Sequence, residues 1–185
     1  RCIVKVRYGG ETYEGMATAG FDPEKIAPTQ TDPADFDTFW KEALEVNSRL
    51  PLEPIVELMP ERCTGTINVY QVSFQNWKHG GRIYGILCVP KAPGRYPAIL
   101  EVPGAGVYPH GGNMALTHHG YITLQIGIHG IPVDMPRSVY NELAGGALYN
   151  YMQIKLDDRH DYYYKRVYLC SVKAFDFLFT LPEFD

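Results

Sequence analysis

The sequence lacks any uninterrupted apolar run near the roughly 18 residues that a membrane-spanning helix needs. It also lacks a basic run. With 17 Lys and Arg against 21 Asp and Glu the net charge is −4, which argues against a nucleic-acid partner. Cys2, Cys63, Cys88 and Cys170 contain no CxxC pair, so no zinc ribbon or thioredoxin-type motif is present, and cysteines this scattered read as free thiols. No N-x-S/T acceptor occurs, and no repeat period marks a solenoid. No apolar leader-like stretch follows Arg1, and a first residue other than Met reads as a processed or cut edge.

Catalytic motifs are missing too. Ser48, Ser73, Ser138 and Ser171 all lie outside any G-x-S-x-G, so no nucleophile elbow is available among them. There is no GK[ST] for a phosphate loop. Gly104–Ala105–Gly106 begins a dinucleotide fingerprint, but Pro109 stands where its third glycine belongs. His118 and His119 are adjacent, a spacing that cannot share one helix face. Asp157, Asp158, His160 and Asp161 cluster without a metal-site spacing and read as a solvated helix start. No cofactor or metal is expected.

What remains is an ordinary globular composition, 45% hydrophobic and 21% charged, in a chain long enough for one core. Fourteen Tyr and 14 Pro tilt it toward sugar-handling or extracellular proteins. Residues 2–8 alternate as a strand, Gly9–Gly10 turns the chain, and Thr12–Tyr13 begins a partner. A lone hairpin cannot bury its own face. Residues 1–28 therefore read as the tail of a preceding β-rich domain and a linker holding Pro23 and Pro28.

A helix is expected from Asp32 as N-cap and Pro33 at N1, with Phe36, Phe39, Trp40, Ala43 and Leu44 along one face. Residues 66–74 and 82–89 read as an antiparallel strand pair. The apolar runs 97–102 and 121–126 each stop at a glycine loop, 104–106 and 127–130, with one or two helical turns between them. Buried runs of this kind suggest a parallel sheet covered on both faces, whose ligands bind beyond the carboxyl ends of the strands. A glycine turn there can aim a backbone N–H at an oxyanion, and His129 at a strand end could face a pocket, although a hydrogen-bonded structural role suits it better. The aperiodic stretch 131–160 reads as a lid or binding loop with some helix of its own. Asp161 opens a long helix with Tyr164, Val167, Tyr168, Ser171, Ala174, Phe175, Leu178 and Phe179 on one face. Tyr162, Tyr163 and Tyr164 point in different directions and are expected mainly to pack.

In this order the stretches DFDTFWKEAL (35–44), VYQVSF…GGRIYGILCVPK (69–91), YPAILEVPGAG (96–106) with HHGYITLQIGIHG (118–130), and YYYKRVYLCSVKAFDFLFTLPEFD (162–185) resemble the acetyl xylan esterase and cephalosporin C deacetylase family of α/β-hydrolases. The resemblance covers about residues 30–185. It implies an incomplete α/β-hydrolase fold: residues 29–185 as the N-terminal half of a three-layer, mostly parallel sheet flanked by helices. It implies serine acyl transfer on acetylated xylan or related sugar esters, with the Ala105 N–H as an oxyanion-hole donor and Gly104, Gly106, Tyr108 and His129 as pocket candidates. Pro103 and Ala105 stand where the family carries His and Tyr, the 127–130 loop stands where it often has Asp-x-Arg-Gly, and Cys170 replaces a frequent Asp.

On this reading the triad lies beyond Asp185 and the chain alone is inactive. The run 97–102 becomes an open sheet edge available for self-association, and export is favoured over a cytoplasmic location. Two alternatives stay open: another α/β-hydrolase of dienelactone-hydrolase or peptidase type, and a non-catalytic carbohydrate-binding or interaction module.

Overall fold

The computed structural model describes residues 1–185, the side chain of His79 excepted. It divides into two units, Arg1–Phe36 and Asp37–Asp185. In the first, β1 (Cys2–Tyr8) and β2 (Glu11–Ala17) form an antiparallel hairpin about Gly9–Gly10, both at positive φ. Register pairs Val4 with Gly15 and Val6 with Tyr13 on one side, and Lys5 with Glu14 on the other, where the two side chains meet at 3.0 Å. Every residue of both strands is exposed.

The second unit is built on one five-stranded sheet. Its strands are β3 (Ile55–Leu58), β4 (Ile67–Asn76), β5 (Lys78–Pro90), β6 (Ala98–Glu101) and β7 (Ile122–Ile126), in the order β3-β4-β5-β7-β6. The parallel pairing expected of the glycine-terminated runs is found between β6 and β7, and the other three neighbours are antiparallel. β4 and β5 extend further than their sequence predicts, separated by Trp77 alone, with a bulge at Gln75/Asn76. β3 has no counterpart in the sequence reading, because four exposed residues give too short a pattern to separate strand from loop. β6 is an edge strand, as expected of 97–102, and its residues are half-buried. Beside its start a single parallel rung joins Tyr96 to Phe184, with Tyr96 N–H donating to Glu183 O at 2.8 Å.

Strand alternation splits the core between the two faces. On one, Val72, Phe74, Leu87, Ile122, Leu124 and Ile126 pack with Cys170, Ala174, Phe177 and Leu178 of α4 (Tyr163–Leu178), and the Phe74 and Phe177 rings stack at 5.1 Å. On the other, Ile67, Val69, Ile86 and Cys88 pack with Val133. The same alternation turns Thr123 and Gln125 of β7, and Glu101 opposite Gln125, away from the α4 side.

Both long helices differ from expectation at their starts and faces. The first, α1 (Phe36–Ser48), begins four residues after Asp32, and residues 34–35 form a turn closed by Phe36 N–H on Pro33 O at 3.0 Å. Its buried positions are Ala43 and Asn47, with Phe36 and Leu44 exposed. α4 begins at Tyr163 with Tyr162 as N-cap, so Asp161 lies just outside it. Its buried line is Tyr163, Val167, Cys170, Ala174 and Phe177, while Tyr168, Phe175 and Phe179 are exposed. The apolar arc of α4 is wide, with Lys165, Arg166, Lys173 and Asp176 on the remaining side, so neighbouring stripes of equal period compete and the sheet selects between them. The two helices meet through polar side chains: Asn47 Nδ2 donates to Leu169 O at 3.3 Å, and the buried Lys173 Nζ donates to Leu50 O at 2.7 Å.

α2 (Met114–His118) supplies the helical turns expected between the glycine loops, capped by the Asn113 side chain on Leu116 N–H at 3.1 Å. α3 (Arg137–Gly145) and a 3-10 turn (Tyr151–Gln153) provide the regular structure within 131–160.

Candidate oxyanion site

The two glycine loops follow directly from the carboxyl ends of the parallel pair, β6 into 102–106 and β7 into 127–130. Gly106 has φ +133, and a Cβ there would lie 2.8 Å from Tyr108 Cε1, so only glycine fits. Gly104 is unconfined: a Cβ at that position would meet nothing closer than Tyr108 Oη at 3.9 Å. Between them Ala105 is exposed, and among the described residues no protein group accepts its N–H.

All five residues expected at the site come together here. The Tyr108 hydroxyl donates to Gly104 O at 3.3 Å. His129 Nε2 lies 2.9 Å from Gly106 O, and its Nδ1 lies 2.6 Å from the Tyr163 hydroxyl. A carbonyl can only accept, so Nε2 carries the proton and Nδ1 of the neutral ring accepts from Tyr163. His129 thus has the hydrogen-bonded role the sequence favours for it, and that role is spent on the glycine turn.

Electrostatics keep this imidazole neutral. Burial pushes the pKa of His129 below 6.5, with Arg166 acting in the same direction and the hydrogen bond to Gly106 opposing. Burial, then His129 itself, lowers His110 similarly. Burial also raises the Tyr163 hydroxyl. Both histidines bind protons less readily folded than unfolded, so their contribution to stability is complete above the unfolded value and is lost as pH falls through the folded one. The thermal midpoint is therefore expected to climb as pH is raised toward the ordinary histidine value of 6.5 and to level off above it. His129→Asn, which has no titrating group, should flatten part of that climb. An unchanged slope in this variant would contradict the assignment.

Several contributors have no motif. Tyr151, from the 131–160 stretch, accepts the Gly106 N–H at 3.0 Å and packs edge-on against His129 at 4.8 Å. Gln125 Oε1 accepts the N–H groups of Gly111 and Gly112 at 3.1 and 2.8 Å, and Asn113 Nδ2 donates to Glu101 Oε1 at 2.6 Å. These bonds tie down the loop that leaves the turn. The signal for Gln125 and Glu101 was a polar residue inside an otherwise apolar strand run. Tyr151 offered no such signal, because nothing local distinguishes it from the other tyrosines.

Other residues singled out in the sequence lie elsewhere. His118 and His119 sit at the end of α2, and His160 packs on Phe39 at 5.5 Å. Residues 157–161 are exposed turns, and no group of three metal-ligating side chains occurs among the described residues. A cavity of about 280 Å³, lined by Phe39, Trp77, Lys165 and Leu169, belongs to the α1–α4 side. No helix among the described residues is long and apolar enough to cross a membrane.

None of the four serines stands on a strand-to-helix turn. Ser48 donates to Glu45 O, Ser171 donates to Val167 O within α4, Ser73 is buried in β4 against Arg82, and Ser138 is exposed at the start of α3.

A family model described as acetyl xylan esterase matches residues 23–185. The acetyl esterase Axe7A of Xylanibacter ruminicola is 33% identical over 178 residues, 94% of this chain and 40% of that protein. The solved acetyl xylan esterase from Paenibacillus sp. R4 superposes with a TM-score of 0.69 at 28% identity, covering 85% of this chain and 51% of the other. Acetyl xylan esterase 1 from Thermoanaerobacterium sp. JW/SL YS485 gives 0.68 at 19% identity, over 83% and 48%, a likeness of fold. The chain thus spans about half the length of these solved structures and less of the Xylanibacter protein.

Proposed function

Because the chain belongs to the acetyl xylan esterase family, we propose that it carries the oxyanion side of a serine carbohydrate esterase that removes acetyl groups from xylan or related sugar esters. The observation that carries this reading is the unengaged Ala105 N–H at the end of β6, on a turn that Gly106 and His129 hold in place. When a serine alkoxide adds to an acetyl carbonyl, negative charge gathers on the carbonyl oxygen. A donor already aimed there stabilises the charge without reorganising. Gly104, Gly106 and Tyr108 wall the acyl side, and His129 stays behind the turn as a neutral support.

On this reading the nucleophile, acid and general base are supplied by a serine-bearing partner half, and turnover requires it. Residues 1–28 are assigned on this reading to the end of a preceding domain and its linker, and 29–185 to the hydrolase domain. The half-buried β6 edge would take up a further strand or a second copy. An exported enzyme fits a polymeric sugar substrate.

The test is a chimera in which residues 23–185 replace the matching half of the Paenibacillus esterase. We expect acetate release from acetylated xylan well above that of the same chimera with its serine nucleophile replaced by alanine. A folded chimera with no such difference would count against the esterase reading.

A further inference from the structure

We propose that Tyr108, Tyr151 and His129 form a positioning clamp that fixes three consecutive peptides of the oxyanion turn, making the direction of the Ala105 N–H depend on the 131–160 segment. The purpose assigned to that N–H rests on the esterase reading, whereas the clamp rests on hydrogen bonds alone.

Each peptide has its own partner. The Gly104–Ala105 peptide is held at its oxygen by the Tyr108 hydroxyl at 3.3 Å. The Ala105–Gly106 peptide is held at its N–H by the Tyr151 hydroxyl at 3.0 Å. The Gly106–Val107 peptide is held at its oxygen by His129 Nε2–H at 2.9 Å. Among the described residues no peptide bond is cis, and in a trans peptide the C=O and N–H point in opposite directions. With Gly104 O turned toward Tyr108, the Ala105 N–H is directed to the far side, where it has no protein acceptor among the described residues. Gly104 and Gly106 bring no stiffness of their own, so the orientation comes from the three aromatic side chains.

The clamp is anchored away from the main core. Tyr151 and Tyr163 pack with Ile128 and Val167 in a separate apolar cluster, joined at its edge by Leu148 and Val107. Tyr163 donates to His129 Nδ1 at 2.6 Å, and Arg166 lies 4.3 Å from the Tyr163 ring while donating to Ile128 O at 3.1 Å. Tyr151 reaches the turn from the 3-10 helix late in the 131–160 segment. A displacement of that segment would withdraw the acceptor from Gly106 and release the central peptide. Tyr151 and His129 are positioning residues, placed behind the turn, and Tyr108 combines that task with its place on the wall of the acyl side.

The experiment uses the ¹⁵N-labelled full chain. Tyr151→Phe keeps the ring and removes the acceptor, so Gly106 amide exchange should accelerate by about 10-fold or more while Ala174 and Phe177 of α4 stay protected. In the parent chain His129 should give the imidazole ¹⁵N pattern of a single tautomer with Nε2 protonated, and Tyr163→Phe should move the Nδ1 resonance, whose hydrogen bond it removes, while Nε2 stays protonated on Gly106 O. Unchanged Gly106 exchange, or a parent-chain His129 protonated on Nδ1 and not on Nε2, overturns the clamp. If Tyr151→Phe unfolds the chain, Tyr108→Phe decides instead, because loss of its hydroxyl should move the Ala105 amide resonance and an unmoved resonance overturns the clamp. None of these readouts needs turnover. An inert chimera with an intact clamp counts against the esterase reading, and an active one with an indifferent Gly106 counts against the clamp.

Discussion

Ala105→Pro in the chimeric esterase is expected to lower kcat by about 10²–10³-fold, the loss typical of removing one oxyanion-hole donor. Proline has no N–H, so the substitution deletes the proposed donor itself, which no other side-chain replacement at this exposed position can do. The side chain contributes nothing comparable, because Ala105 presents only a methyl group to solvent. Ala105→Ser keeps the N–H and should retain most of the parent rate. Proline also restricts the residue before it, but Gly104 has no Cβ to meet the ring. KM should move far less than kcat, because the charge on the carbonyl oxygen is present in the transition state and not in the bound ester. The check is steady-state kinetics of the two variants side by side. A proline variant within about threefold of the serine variant, far short of the loss expected for a missing donor, would remove Ala105 from the oxyanion hole.

The chain alone is expected to turn over p-nitrophenyl acetate no faster than its heat-denatured control, a deficit on the order of 10⁶-fold relative to a complete serine hydrolase. The reason lies in where its nucleophilic atoms sit. Ser73 is buried in a strand and bonded to Arg82, and the Ser48 and Ser171 hydroxyls are bonded to carbonyls of their own helices. Ser138, though exposed, is on a helix and not on a strand-to-helix elbow. The thiols offer no substitute: Cys88 and Cys170 are buried, and burial pushes both pKa values up, away from the reactive thiolate, while Cys63 Sγ donates to Met59 O and Cys2 belongs to the hairpin of the first unit. His129, the ring nearest the turn, has both nitrogens engaged. An oxyanion donor without a nucleophile lowers the barrier to a step that cannot start. A rate well above the denatured control, abolished by mutation of one of these four serines, would overturn the expectation.

Some parts of this molecule were legible before any coordinates. The glycine loops after two apolar runs gave the site its place, because continuous buried strands and abrupt Gly/Pro stops leave a strong local trace. The β4–β5 pair followed from β-branched and aromatic content with glycines between the runs. Other parts were hidden for definite reasons. α4 has a wide apolar arc, so its periodicity placed Val167, Ala174 and Leu178 correctly but extended the stripe to Tyr168, Phe175 and Phe179, which the sheet leaves exposed while it buries Tyr163, Cys170 and Phe177. Asp32 and Pro33 made an acceptable helix start, yet the chain turns once more and the helix begins at Phe36. Strand β3 is held by pairing with β4, which no four-residue pattern can reveal.

The sequence by itself determined the parallel-strand ends, the glycine turn, the absence of a serine elbow, and the family resemblance, since each depends on residue types at short spacing. Only the tertiary structure decided that His129 would lock the turn through Gly106, that Tyr151 would come from a segment without periodicity to accept its N–H, and that Glu101 and Gln125 would stand side by side on one face. Those partners are separated by 23 and 45 positions for the two bonds to Gly106. Contacts of that kind are set by how strands register and helices pack, and no local pattern encodes them.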